Sequence, residues 1–169
     1  WTVLGGSIME PEVARAMEEA SRVMVRLRDL NLQAGAIIAK HTGAEAGLVV
    51  AGASTGMMLE AAAAMAGKDP AKIARLPNTE GMKNELVVKW NHNIEFVQCW
   101  RQAGAKLVWV GSTHGAQEWE IEAAVNEKTA AFGFVASRHL PDSFDSLDQM
   151  VRLGHKHNLP VIVDAAAML

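Results

Sequence analysis

Between Gly47 and Asp164 the sequence alternates short apolar runs with stretches of helical period, and this constrains the fold more than any other feature. The runs are Gly47–Gly52, Glu85–Trp90, Lys106–Val110, Ala130–Ala136 and Leu159–Asp164. Each has a nearly continuous apolar centre, as expected of parallel strands covered on both faces. Helices are expected between them at Met57–Ala66, Ile94–Ala103, Trp119–Asn126 and Leu147–His157. Such alternation predicts an α/β fold: a three-layer, mostly parallel sheet with helices on both faces and right-handed crossovers.

Residues 1–46 read as an N-terminal helical segment. Pro11 suits a first helical turn, and Val13, Met17, Ala20, Met24 and Leu27 recur at helical spacing. Asn31 is expected to break this helix. A second helix is expected from Leu32 to His41, closed by Thr42-Gly43. Residues 47–169 read as the N-terminal part of a larger α/β domain. The chain starts at Trp1 and stops at Leu169, directly after a strand, so a portion of a longer protein is expected.

Composition removes several classes of function. Cys99 is the only cysteine of 169 residues, which excludes a disulfide framework and a thiolate zinc cluster and suits a reducing, cytoplasmic setting. His155 and His157 lie two apart on a helix and point to different sides, so no metal site is expected. No apolar run reaches the roughly 18–20 residues of a membrane span. The net charge of −3 argues against a nucleic-acid surface, although a local basic patch stays open.

In an open α/β sheet, ligands bind beyond the carboxyl ends of the strands. Four groups of residues fall there. Ser54, Thr55 and Gly56 join the first run to a helix start, where free N–H groups and the helix dipole favour an anion; an ordinary N-cap is the plainer alternative. Asp164 ends the last strand, where a carboxylate can hold a metal, a ribose hydroxyl or a protonated ring nitrogen, or serve as a cap. His92 follows the second strand and can stack on a planar ligand or move a proton, with Trp90 as the competing stacker. Ser137 and Arg138 follow the fourth strand, and Arg138 can pair with a substrate carboxylate or phosphate.

The order of these elements resembles the large domain of fold-type I pyridoxal phosphate enzymes, the aspartate aminotransferase superfamily. The segments Thr42–Ala46, Leu76–Glu85, Ala103–Gly111 and Leu159–Asp164 are similar to its selenocysteine synthase-like branch. That branch includes L-seryl-tRNA(Sec) selenium transferases and D-glucosaminate-6-phosphate ammonia-lyases. The resemblance implies pyridoxal 5'-phosphate as cofactor. Ser54, Thr55 and Gly56 would hold its phosphate, Asp164 would pair with the pyridine nitrogen, His92 would lie over the ring face, and Ser137 would lie near the phenolic side or the substrate. The Schiff-base lysine of the family is expected beyond Leu169, since Lys106 and Lys156 sit on the wrong elements.

The implied activity is elimination or β-replacement on an amino acid or amino sugar acid. Ammonia-lyase chemistry on a phosphorylated 2-amino-2-deoxy sugar acid is the leading expectation. A tRNA-linked selenium transferase, an aminotransferase of the same fold and a binding homologue without the lysine are the alternatives. The resemblance also implies a homo-oligomer, at least a dimer.

Overall fold

The computed structural model describes residues 6–140 and 146–168. The chain divides into two compact units, Trp1–Val49 and Val50–Leu169.

The first unit is built on two helices, α1 (Pro11–Ala20) and α2 (Leu27–Thr42). Asn31 lies inside α2 and does not break it. Its side chain instead accepts from the Val49 N–H and donates to the Val49 carbonyl, both at 3.0 Å. The extended residues before Val49 therefore run beside α2. At Gly35 the approach is so close that a Cβ would stand 2.1 Å from the Gly47 carbonyl oxygen. Gly43 ends α2 in the left-handed conformation, as a C-terminal glycine allows.

The run Gly47–Gly52 is not a strand. Apolar character gives a segment a reason to be buried, but a strand also needs a hydrogen-bonding neighbour. None of the described strands pairs with this run, and the Asn31 side chain serves the Val49 backbone instead.

The second unit begins with α3 (Ala53–Ala66), which presents Met57, Ala61 and Met65 to the core at four-residue spacing. Asp69 then caps a further helix, α4 (Pro70–Arg75), accepting from the Ala71 and Lys72 N–H groups at 2.9 and 3.2 Å. The remaining elements alternate: β1 (Glu85–Lys89), α5 (Gln98–Gln102), β2 (Lys106–Val110), α6 (Glu118–Ala124), β3 (Thr129–Val135), α7 (Leu147–His157) and β4 (Val161–Asp164). Trp90 has left the strand and opens a 3₁₀ turn, Trp90–His92. A second 3₁₀ turn, Glu95–Val97, precedes α5.

The four strands form one parallel sheet in the order β2-β1-β3-β4. Side chains alternate across it. Leu86, Val88, Ala131, Val135 and Ile162 pack with α3 and α5, including Trp100. Val87, Phe132 and Phe134 pack on the other face with Ile121 of α6 and Met150 and Leu153 of α7. Helices thus cover both faces, giving three layers. The same alternation puts Asp164, two residues after Ile162, on the α3 side. It puts Lys89, two residues after Val87, on the α6–α7 side. Among the described residues no helix is long and apolar enough to cross a membrane.

Candidate functional site

The carboxyl ends of β1, β3 and β4 bring three of the expected residues together. Val135 and Asp164 are register partners, and the next residue, Ala136, donates its N–H to the Asp164 carbonyl at 2.8 Å. From β1, the 3₁₀ turn folds His92 back so that its Nδ1 accepts from the Val135 N–H at 3.1 Å. Ser137 follows directly. Its Oγ accepts from the His139 N–H at 3.2 Å, and its carbonyl accepts from Leu140 N–H at 3.2 Å, which closes a tight turn.

His92 is fully buried and lies edge-on to Phe134, with ring centroids 4.5 Å apart. Burial, and secondarily the nearby Lys89 ammonium, lower its pKa from 6.5 to about 4. The imidazole is therefore neutral at neutral pH. Because Nδ1 accepts a hydrogen bond, the ring proton resides on Nε2. That Nε2 is buried without a hydrogen-bond partner among the described residues. An orphan donor in a core costs about 1–3 kcal/mol, so it needs a reason.

Asp164 is 7% exposed, and its Oδ1 accepts from the Ala166 N–H at 3.0 Å. Its charge reaches Glu60 on α3: burial first, and Asp164 second, raise the Glu60 pKa. Arg138 points into solvent as an exposed residue of the loop after β3.

Ser54 and Thr55 do not occupy a strand–helix turn, and neither is the N-cap. Gly52 is the N-cap, with φ 153°, a backbone region that favours glycine. The first helical bond is Gly56 N–H to the Gly52 carbonyl at 3.1 Å. The N–H groups of Ala53, Ser54 and Thr55 thus have no helical acceptor, and both hydroxyls ride on the first turn. Ser54 is six residues from Glu60, about 9 Å along the helix axis. α3 packs on β3 and β4, so one helix carries both the exposed N–H groups and the neighbour of Asp164.

Two contributors escaped the sequence reading. Glu60 lies within the expected helix Met57–Ala66 and Lys89 within the expected strand Glu85–Trp90. The parity of the strands was the available signal, since residues two before a strand end share its face.

The sequence pattern of the DegT/DnrJ/EryC1/StrS aminotransferase family matches residues 33–169. The chain belongs to this family. It is 37% identical over 171 residues to a D-glucosaminate-6-phosphate ammonia lyase of Salmonella typhimurium (strain 14028s / SGSC 2262), covering 98% of this chain and 46% of that protein. It is 36% identical over 172 residues to a 5'-C-glycyluridine monooxygenase-decarboxylase of Streptomyces sp, covering 98% and 43%. The chain thus spans less than half the length of these curated relatives. Among solved structures, a D-glucosaminate-6-phosphate ammonia-lyase superposes with a TM-score of 0.91 at 35% identity, covering 96% of this chain and 45% of that one. An aspartate aminotransferase of Thermotoga maritima superposes with a TM-score of 0.58 at 18% identity over 94% and 43%, which shows the shared fold.

Membership in this aminotransferase family brings pyridoxal 5'-phosphate as the cofactor. The residues present suit it. The first turn of α3 offers three free N–H groups and two hydroxyls to a phosphate. The Asp164 carboxylate has only Oδ1 engaged by described residues, which leaves Oδ2 for a ring N–H. The buried Nε2–H of His92 lacks an acceptor.

Proposed function

We propose that the protein containing this chain is a pyridoxal 5'-phosphate-dependent ammonia-lyase acting on a phosphorylated 2-amino-2-deoxy sugar acid of the D-glucosaminate 6-phosphate type. The observation that carries the reading is the agreement in sequence and structure with that enzyme, 35% identity at a TM-score of 0.91 across nearly the whole chain. When bound, the cofactor supplies an electron sink. In this reading the hydroxyls of Ser54 and Thr55 and the N–H groups of Ala53, Ser54 and Thr55 bind its phosphate, while the Gly56 N–H is held by the Gly52 carbonyl. Asp164 holds a proton on the ring nitrogen, so that the ring keeps its electron-accepting form. His92 stays neutral and packs at the ring. Its Nε2–H orients the ligand and does not exchange protons. Ser137 holds the polypeptide close to the substrate side, and Arg138 is placed to meet a substrate anion. A cytoplasmic homo-oligomer is part of the same proposal.

The Streptomyces relative supports a second reaction type on the same cradle, oxidative decarboxylation, since its identity is nearly the same. The two are separated by assay under nitrogen. Ammonia released from D-glucosaminate 6-phosphate without oxygen supports the lyase. Turnover that requires oxygen and releases carbon dioxide supports the alternative. A full-length protein that acquires no visible absorption band with pyridoxal 5'-phosphate refutes both. An Asp164→Ala variant is expected to weaken that band and the affinity behind it.

A further inference from the structure

A cavity of about 520 Å³ opens at the carboxyl ends of β1 and β2, on the α6–α7 side of the sheet. None of Ser54, Thr55, His92, Ser137 or Asp164 lines it. Its wall is polar: Lys89, Ser112, His114, Gln117, Gln149 and Arg152 face it, together with Glu120. A volume of this size suits a small molecule.

The wall is held in place by bonds among its own parts. Lys89 is 3% exposed, and its Nζ donates to Gln149 Oε1 at 3.3 Å. Gln149 Nε2 donates to Glu118 Oε2 at 3.3 Å, and Arg152 stands 3.8 Å from the same oxygen. The Glu120 carboxylate is occupied by its own helix start, accepting from the Gln117 N–H at 2.8 Å. His114 is fixed by a closed turn in which Ser112 and Gly115 exchange backbone bonds at 2.8 and 3.1 Å, while the His114 N–H donates to Ser112 Oγ at 3.2 Å. Among the described residues Glu118 and Glu120 have these partners, and Arg152, the His114 imidazole, the amides and the hydroxyls line the space. Such a mixture of hydroxyl and amide donors with an exposed guanidinium matches a chain of hydroxyls that ends in an anion.

The cavity wall and the candidate site share the end of β1. Lys89 leads directly into the 3₁₀ turn that carries His92, and its charge is felt by that ring.

We propose that this cavity is the subsite for the hydroxylated, phosphorylated tail of the substrate, with Arg152 and His114 as specificity-determining contacts. The proposal rests on the sugar-acid reading above. It assigns the tail to the α6–α7 side and leaves the α3 side to the cofactor.

The test uses the full-length protein and gluconate 6-phosphate, which has the tail but no amine to react with the cofactor. Binding is followed by calorimetry for the wild type, Arg152→Gln and His114→Gln, with gluconate and inorganic phosphate as controls. Arg152 is largely solvent-exposed, so its replacement leaves the core untouched, and His114→Gln gives an independent probe. The expected result is that gluconate 6-phosphate binds more tightly than either control and that each variant weakens it about tenfold or more, as loss of a charged hydrogen bond does. Uptake of pyridoxal 5'-phosphate, read from its absorption band, stays unchanged in both variants. Unaltered affinity in both variants overturns the proposal, as does inorganic phosphate binding as tightly as the sugar acid. Failure of the wild type to take up the cofactor overturns the enzyme reading instead, and the tail-binding results still judge the cavity.

Discussion

The buried His92 gives a pH dependence whose size follows from the structure. An exposed histidine titrates near 6.5, whereas the folded ring titrates at about 4 because burial and the Lys89 charge penalise its cation. As pH falls below 6.5 the unfolded chain takes up a proton that the folded chain refuses. The unfolded state then binds more protons, so stability falls with falling pH until the folded ring also titrates. The gap between 6.5 and about 4 is worth about 3.5 kcal/mol at about 1.4 kcal/mol per pH unit, and about 2.5 kcal/mol of it is lost between about pH 7.5 and about pH 4.5. Other groups titrate over the same range, so the measurement is a difference. In His92→Asn, the amide oxygen can still accept from the Val135 N–H but takes up no proton. Urea unfolding of the cofactor-free protein at both pH values should show the wild type losing about 2.5 kcal/mol more than the variant. A parallel NMR titration should place the His92 ring well below the exposed histidines. Equal acid losses in the two proteins, or a His92 ring titrating near 6.5, refute the argument that this imidazole is held neutral by burial.

Three further outcomes are expected. Gly133→Ala should cost about 1–3 kcal/mol in urea unfolding, because its Cβ would stand 2.9 Å from the Trp100 indole and the Val88 methyl, two side chains with no exposure. Gly35→Ala should speed amide exchange in α2, since a Cβ 2.1 Å from the Gly47 carbonyl forces the helix and the extended segment apart; unchanged protection counts against that close approach. Glu60→Gln should stabilise the cofactor-free protein at neutral pH: with its pKa raised by burial and by Asp164, the folded carboxyl costs stability as pH rises past the ordinary glutamate range, and the amide removes that cost.

The fold was legible where burial alone decides the outcome. β1 to β4 fall within about a residue or two of their expected positions, because a strand covered on both faces leaves a continuous apolar run. Asn158 ends α7 in the left-handed conformation, as expected of a terminating asparagine. The errors came where hydrogen-bond partners decide. Gly47–Gly52 is apolar enough for a strand, yet Val49 satisfies its backbone through Asn31, eighteen residues away in sequence. At Asp69-Pro70 the end of one helix and the start of the next nearly coincide, and it is the Asp69 side chain that opens the second.

The site divides along the same line. Strand ends are readable, so Asp164, His92 and Ser137 could be placed on one edge from the sequence, and the structure bonds His92 to Val135, the residue paired with Asp164. Which face a charged residue takes depends on strand parity relative to helices that are distant in sequence. Leu86 and Val88 turn to α3, so Lys89 must turn with Val87 to α6 and α7; Ile162 turns to α3, so Asp164 must meet that helix, and Glu60 with it. Parity thus sorts the polar groups of one sheet edge into two sets on opposite faces. The α3 set has the free N–H groups and the carboxylate that a phosphorylated pyridine needs. The α6–α7 set has the cations and amides that a hydroxylated anion needs. His92, one short turn beyond Lys89 and bonded to the Val135 N–H, ties the end of the strand that carries Lys89 to the residue paired with Asp164.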